Sequence, residues 1–140
     1  MSQGTNQGKR EERISDKDVF AAGLELRRHM FGVAGADQQI ESATDFTRPL
    51  QDMVTRYCFG EVWQRPALDN KTRSMLTLAL LTALGKQNQL RAHVKGAIQN
   101  GVSKEEIREV LMHSMIYAGV PAAVDSFATT TDVLKQLGLE

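Results

Sequence analysis

The 140-residue chain is poor in the residues that would assign it to several common classes of protein. It has a single cysteine, Cys58, which excludes an intramolecular disulfide, a C-x-x-C redox pair and a thiolate-rich metal site within one chain. We interpret this residue as a small buried hydrophobe. Because 17 Lys and Arg residues balance 17 Asp and Glu residues, the strongly basic surface of nucleic-acid-binding proteins is also missing. We therefore expect neither DNA nor RNA as a partner.

Long hydrophobic runs are absent as well. The most apolar stretch, Met75 to Leu84, contains Thr77 and Thr82 and is about half as long as a membrane-spanning helix must be. Residues 1–12 are polar and lack the apolar core of a secretory signal. These features predict a protein that does not cross a membrane and that resides in the cytoplasm.

What the sequence does contain suits one ordinary domain. Residues 1–14 are almost entirely polar, so ordering them would cost conformational entropy with little apolar burial in return, and we expect a flexible tail. Residues 15–140 are expected to form a single domain. Every strong pattern in this range has the period of a helix, and no window alternates every second residue. The pattern predicts an all-α fold, a bundle of about six helices.

Capping signals predict where these helices begin and end. Asp69 has the position of an N-cap, and Ser103-Lys-Glu-Glu106 has the form of a capping box. Asn100–Gly101 is a typical left-handed helix end. The expected helices are 16–31, one beginning at Pro49, 69–84, 87–99, one opened by Ser103, and one from Pro121 to Gly138, with a loop over 61–68.

The helix over 72–84 is apolar on nearly every side, and a domain of this size has difficulty enclosing such a helix by itself. Either the helix is central to the domain or a second subunit covers it. Because the apolar surface of the helix is nearly continuous, we expect the second case, a homo-oligomer.

The three histidines, His29, His93 and His113, are too far apart in sequence for a local metal-binding motif. His93 and His113 could converge from neighbouring helices, but the spacing gives little support for a metal site. His93 follows Gln89 by one helical turn, so the two side chains share a helix face and could form a hydrogen bond. From the pattern alone, a structural role for His93 is favoured over a functional one.

Several segments resemble, in order and spacing, the carboxymuconolactone decarboxylase family. They are Gly60–Asp69, Thr72–Thr77, Gln89–His93, Asn100–Ile107 and Tyr117–Ala123, and the similarity spans about residues 20–128. Two further features, the segment Ala22–Arg28 and the surroundings of Trp63, resemble the branch that decarboxylates a carboxylated muconolactone in the protocatechuate pathway of aromatic catabolism. The resemblance implies an AhpD-like helical fold, a symmetric oligomer that is typically a hexamer, a dicarboxylate lactone as substrate, and no cofactor or metal.

The family also contains thiol-dependent peroxidases of the alkylhydroperoxidase type, which use a C-x-x-C pair before the histidine. Alignment on His93 places Lys86 and Gln89 at those cysteine positions, so this chemistry is excluded here. Relatives often carry Glu where this chain has Gln89. A glutamine can still form a hydrogen bond with an imidazole, but it cannot titrate.

The implied reaction places negative charge on the lactone oxygen atoms as CO2 leaves, and a carbon atom must then take a proton. Under the resemblance, His93 is the acid, with an expected pKa near neutrality, and Arg73 binds a substrate carboxylate with both arms of its guanidinium. The other candidate substrate-binding residues are Arg65, Gln89, Tyr117 and Trp63. Alternatively, the arginines are solvated surface charges, Tyr117 packs in the core, and Trp63 is a hydrophobic lid or an interface residue.

Two other functions stay open at this point. The chain could be a lactone isomerase or hydrolase that acts on a related acid, since Gln89 departs from the family pattern. It could also be a non-catalytic helical module that binds small acids.

Overall fold

The computed structural model describes residues 15–140, so the expected tail over 1–14 lies outside the described residues. The described chain folds into α-helices and contains no strand, which confirms the all-α prediction. The α-helices are α1 (Asp16–Gly35), α2 (Asp37–Glu41), α3 (Arg48–Met53), α4 (Asn70–Leu84), α5 (Gln87–Gln99), α6 (Lys104–Ala118) and α7 (Val120–Gln136). A π-helix (Val54–Phe59) continues α3, and a 3₁₀ turn (Val62–Gln64) follows it.

The predicted caps of α4 and α6 are confirmed. The Asp69 carboxylate accepts a hydrogen bond from the backbone N–H of Thr72 at 2.7 Å. At the start of α6, the Ser103 hydroxyl accepts from the backbone N–H of Glu106, and the Glu106 carboxylate accepts from the backbone N–H of Ser103. Gly101 has φ 87°, the left-handed conformation expected after α5. These boundaries depend on bonds between residues close in sequence.

The region between α1 and α4 differs from the prediction. Helix α1 is interrupted at Gly32, close to its expected end, but a further turn continues to Gly35. The short α2 was not expected, because its polar sequence has no clear periodicity. The helix near Pro49 begins as expected, but from Val54 onward its turns widen into a π-helix. The loop expected over 61–68 contains a 3₁₀ turn.

Two hydrophobic clusters lie on different sides of α5. The larger cluster joins α5 to α4, α6 and α7, and it includes Leu78, Leu90 and Leu111. The smaller cluster joins α1 to the π-helix and the 3₁₀ turn, and its buried members are Leu26, Met30, Phe59 and Trp63. Helix α5 contacts α1 as well as α4 and α7, so a side chain in its middle can meet either cluster.

Helix α1 and the π-helix pack at backbone distance through two glycines. A Cβ atom at Gly23 would lie 1.9 Å from the carbonyl oxygen of Thr55, and one at Gly60 would lie 2.3 Å from the carbonyl oxygen of Val19. No side chain fits at either contact. The absence of a side chain at these two positions sets the distance between the elements.

Helix α4 is only partly covered in the single chain. Leu78 is fully buried, whereas Leu76, Leu80 and Leu84 are 49%, 62% and 67% exposed. Among the described helices, none is long and apolar enough to cross a membrane. The cytoplasmic location stays a prediction.

Substitution of Gly23 by alanine should disrupt the contact between α1 and the π-helix. We expect Gly23→Ala to lower the free energy of unfolding by about 3 kcal/mol or more, because a Cβ cannot be accommodated without moving backbone. The control is Ala21→Gly at an exposed position of the same helix, for which helix propensity predicts a loss of about 1 kcal/mol. Urea unfolding measures both, and equal losses would contradict the close contact.

Candidate active site

His93 lies in the middle of α5 among aromatic side chains from three other segments. The edge of the ring of Phe31 meets the imidazole, with 5.1 Å between centroids and planes at 81°. Trp63 stacks on the imidazole at 6.4 Å, with 28° between the planes. The Phe59 ring lies 5.7 Å from both Phe31 and Trp63. We call Phe31, Phe59 and Trp63 the aromatic box.

The aromatic box makes the surroundings of His93 apolar. Burial lowers the pKa of His93 from its ordinary value of 6.5 to about 4. Its Nδ1 atom is buried and has no hydrogen-bond partner. The imidazole is therefore neutral at physiological pH. The near-neutral pKa expected from the sequence is wrong for the protein without substrate.

Arg73 lies in the first turn of α4 and connects that helix to the segment after Trp63. One Nη2–H donates to the backbone carbonyl oxygen of Arg65 at 3.1 Å. The Nε atom of Arg73 is buried without a hydrogen-bond partner. The side chain of Arg65 is exposed. The contact of Arg65 with Arg73 is made by its backbone carbonyl oxygen alone. Arg73 thus has a buried polar group that a ligand could satisfy.

Gln89 and Tyr117 do not join the aromatic box within one chain. Gln89 is exposed, and the hydrogen bonds within residues 15–140 include none between it and His93, so the bond that the helix spacing allows is not formed within the single chain. Tyr117 is 81% exposed and packs against His113 at 5.0 Å between ring centroids. Tyr117 and His113 lie on α6, which packs mainly against α4 and α7.

The second histidine considered in the sequence, His113, has different surroundings from His93. It lies at a groove of about 550 Å³ between α4 and α6, together with apolar side chains such as Met75 and Leu76 and with Glu105 and Glu109. The two histidines therefore do not share a site. Within the described part of the chain, no group of three or more His, Cys, Asp and Glu side chains is placed to hold a metal ion.

Sequence reasoning did not identify two members of the aromatic box, Phe31 and Phe59. One signal was available in the sequence: each phenylalanine directly precedes a glycine at the end of a predicted helical segment, Phe31 before Gly32 and Phe59 before Gly60. The contact of Phe31 with His93 and that of Phe59 with Phe31 depend on the packing of α1 and the π-helix, which periodicity alone does not specify.

These observations define a class of protein: an all-α domain in which a neutral, partly buried histidine lies against two aromatic rings. Residues 48–132 match the model of the carboxymuconolactone decarboxylase family. The chain is 36% identical over 126 residues to 4-carboxymuconolactone decarboxylase from Acinetobacter baylyi, covering 90% of this chain and 94% of that protein. It is 37% identical over 119 residues to nitrosuccinic acid decarboxylase npaB from Metarhizium robertsii, covering 85% and 83%. The chain belongs to the carboxymuconolactone decarboxylase family.

The low pKa of His93 should make the stability of the protein depend on pH. Between about pH 4 and pH 6.5 the unfolded chain binds more protons than the folded chain at this residue. Stability from this source is therefore complete above 6.5 and is lost as the pH falls through that window. From about pH 7 to about pH 5, the expected loss is about 2 kcal/mol.

The measurement is urea unfolding at both pH values and at one protein concentration, with His93→Gln as the matched variant. Other groups titrate in both proteins, so the difference between the two losses isolates His93. Equal losses in the two proteins would show that the imidazole is not desolvated in the folded state.

Proposed function

We propose that this chain is a carboxy-lyase that converts 4-carboxymuconolactone to 3-oxoadipate enol-lactone and CO2 without a cofactor, in the protocatechuate pathway of aromatic catabolism. The observation that carries the proposal is the neutral His93 in its aromatic box, in a chain whose family and relatives are named for decarboxylation. The relatives support a carboxy-lyase. The particular lactone is the finer part of the proposal.

The apolar surroundings that the aromatic box gives to His93 suit the proposed cleavage of a carbon–carbon bond. The carbon–carbon bond to the departing carboxylate breaks, and its electron pair spreads onto the lactone oxygens. A site that excludes water strengthens the interaction of fixed donors with this charge. In the free protein His93 is neutral, and a bound dianion would raise its pKa and favour the imidazolium. The imidazolium would then give its proton to carbon, so that a dianion and a proton become CO2 and a monoanion.

Arg73 is the proposed partner of a substrate carboxylate. Its buried Nε–H has no protein acceptor, and its Nη2 is held by the Arg65 carbonyl oxygen. A carboxylate that accepted from Arg73 would satisfy this donor and would meet a guanidinium already fixed in orientation. In this scheme Trp63 forms a wall of the site and the exposed side chain of Arg65 adds positive charge nearby.

A second substrate is nitrosuccinate, which the similarity to the Metarhizium robertsii enzyme favours. Nitrosuccinate also carries two carboxylates, and loss of CO2 beside its nitro group leaves charge on the nitro oxygens. The same arrangement of a cation and a shielded acid would serve either compound. The alternatives of a lactone isomerase or hydrolase, or of a binding module, differ in that they release no CO2.

Release of CO2 from each compound tests the function directly. We expect CO2 from the lactone, and we expect His93→Ala to lower kcat by about 100- to 10,000-fold, because the proton donor is lost. His29→Ala is the control, since His29 is an exposed histidine outside the aromatic box. Circular dichroism verifies that both variants fold.

The results separate the candidates. Greater turnover of nitrosuccinate would assign the second substrate. Consumption of the lactone without CO2 would indicate an isomerase or hydrolase, and binding without turnover would indicate a binding module. A folded His93→Ala protein with nearly full activity would contradict the role of His93.

We further propose a homo-oligomer, a hexamer by analogy with the family resemblance. Helix α4 packs against α6, and α6 packs against α7. Each of these three helices exposes apolar side chains that are spaced by four residues. They include Leu80 at 62% exposure, Ile116 at 72% and Val124 at 59%. A face of this kind is typical of a subunit interface. Tyr117 lies on α6 with Ile116, so it would meet a substrate only in another subunit, and Gln89 would also need a neighbouring chain or the substrate as its partner.

Covering this face should couple assembly to folding. We expect sedimentation at micromolar concentration to show a species larger than the 15.5 kDa chain, and the melting temperature to rise with concentration. Leu80→Glu should shift the protein toward monomer because it places a charge in the interface. Gln39→Glu, at an exposed position of α2, is the matched control. A stable, folded wild-type monomer would refute the oligomer.

A further inference from the structure

Arg27 is a buried cation without an acidic partner. Its residue is 5% exposed, and within the described residues no carboxylate forms a salt bridge with it. Its Nε atom is buried with no hydrogen-bond partner. Burial of a charge without a counterion is costly, so the remaining bonds of the guanidinium must offset the cost.

The guanidinium of Arg27 donates hydrogen bonds to three acceptors, two side-chain oxygens and one backbone carbonyl oxygen. Nη1 donates to Oε1 of Gln51 on α3 at 3.0 Å and to Oγ1 of Thr55 on the π-helix at 2.9 Å. Nη2 donates to the carbonyl oxygen of Gly35, at the end of α1, at 3.3 Å. One side chain thus ties α1 to α3 and to the π-helix.

Thr55 is held from several directions at once. Its hydroxyl accepts from Arg27 and donates to the carbonyl oxygen of Gln51 at 2.7 Å. Its own carbonyl oxygen lies against Gly23, one helical turn before Arg27 on α1. Isolated π-turns are rare and are found frequently at functional sites. Gly23 and Arg27 of α1 thus contact Thr55 at its carbonyl oxygen and at its hydroxyl, respectively.

The π-helix in turn carries the aromatic box. Phe59 is its last residue, one turn after Thr55, and its ring packs against Phe31 and Trp63. The side-chain amide of Gln64 donates to the carbonyl oxygen of Phe59 at 3.0 Å, which fixes the 3₁₀ turn that bears Trp63. A change of register at Thr55 would therefore move Phe59 and Trp63, and Trp63 is one of the two rings that contact His93.

We propose that Arg27 is a positioning residue, which sets the π-helical register at Thr55 and thereby holds the aromatic box closed around His93. The inference adds a residue to the proposed site and rests on the proposed role of His93. It also accounts for Ala22–Arg28, the segment for which the family resemblance gave no function.

The charged groups on the connected elements include an ion pair between Arg56 of the π-helix and Asp52 of α3, at 2.6 Å. The Cys58 thiol interacts with Arg27 and Trp63, and burial raises its pKa. On α5 itself, Lys95 Nζ donates to the carbonyl oxygen of Phe31 at 3.4 Å. Burial alone accounts for the lowered pKa of His93, so the titration of His93 reports on how well the box excludes water.

The test is to follow the His93 imidazole resonance by NMR as the pH is varied, without substrate. Thr55→Val removes the hydroxyl at nearly constant shape, and Arg27→Met removes the guanidinium. In both variants we expect the pKa of His93 to rise from about 4 toward 6.5, because water enters the box. Thr55→Ser keeps the hydroxyl and should retain the low pKa.

Arg28→Met is the matched control, since Arg28 is exposed and pairs with Asp37. It should leave the titration of His93 unchanged. A folded Thr55→Val protein in which His93 still titrates at about 4 would overturn the proposal, even if its melting temperature fell, because Arg27 would then act on stability alone. If Arg27→Met does not fold, Thr55→Val decides. The titration needs no substrate, so a failure to decarboxylate would refute the proposed function and leave this result intact.

Discussion

The backbone contact between α1 and the π-helix is the constraint on which the candidate site depends. Gly23 and Gly60 let the two elements approach so closely that a backbone carbonyl oxygen of the facing element occupies the space that a Cβ atom would need. Phe31 comes from one element and Phe59 from the other, so the spacing of the elements sets how the two rings pack against each other and how Phe31 meets His93. With a wider spacing the same aromatic residues would be present, but water would reach the imidazole.

The electrostatics of the site follow from this geometry. The protein places a neutral imidazole among aromatic rings and a fixed guanidinium, Arg73, on a neighbouring helix with one donor unsatisfied. Both features cost free energy in the empty protein. Both would be relieved by an anionic ligand, which could satisfy the donor and favour protonation of the histidine. Under the proposed function, the arrangement suits a charged substrate more than a neutral one.

The sequence predicted those parts of the structure that depend on neighbours along the chain. The Asp69 cap and the Ser103 capping box were identified because their hydrogen bonds span three residues. The π-helix was not, since its register depends on contacts with α1 that are distant in sequence. His93 was selected through the family resemblance, but its pKa was misjudged because the rings that desolvate it come from other elements. Gln89 and His93 are four residues apart on α5, yet Gln89 is exposed and forms no hydrogen bond with His93 within the chain, because helix spacing does not specify which way a long side chain turns.

Helix α5 separates the two hydrophobic clusters, and this separation has a consequence for how the family can diversify. The cluster with α4, α6 and α7 supplies most of the buried aliphatic side chains, whereas the smaller cluster with α1 includes the two rings, Phe31 and Trp63, that contact the histidine. Substitutions in the smaller cluster can alter the surroundings of His93 while the larger cluster keeps the domain folded. Under the proposed function, a new acid specificity can arise from substitutions on this side alone, in keeping with relatives of similar identity that are named for different acids.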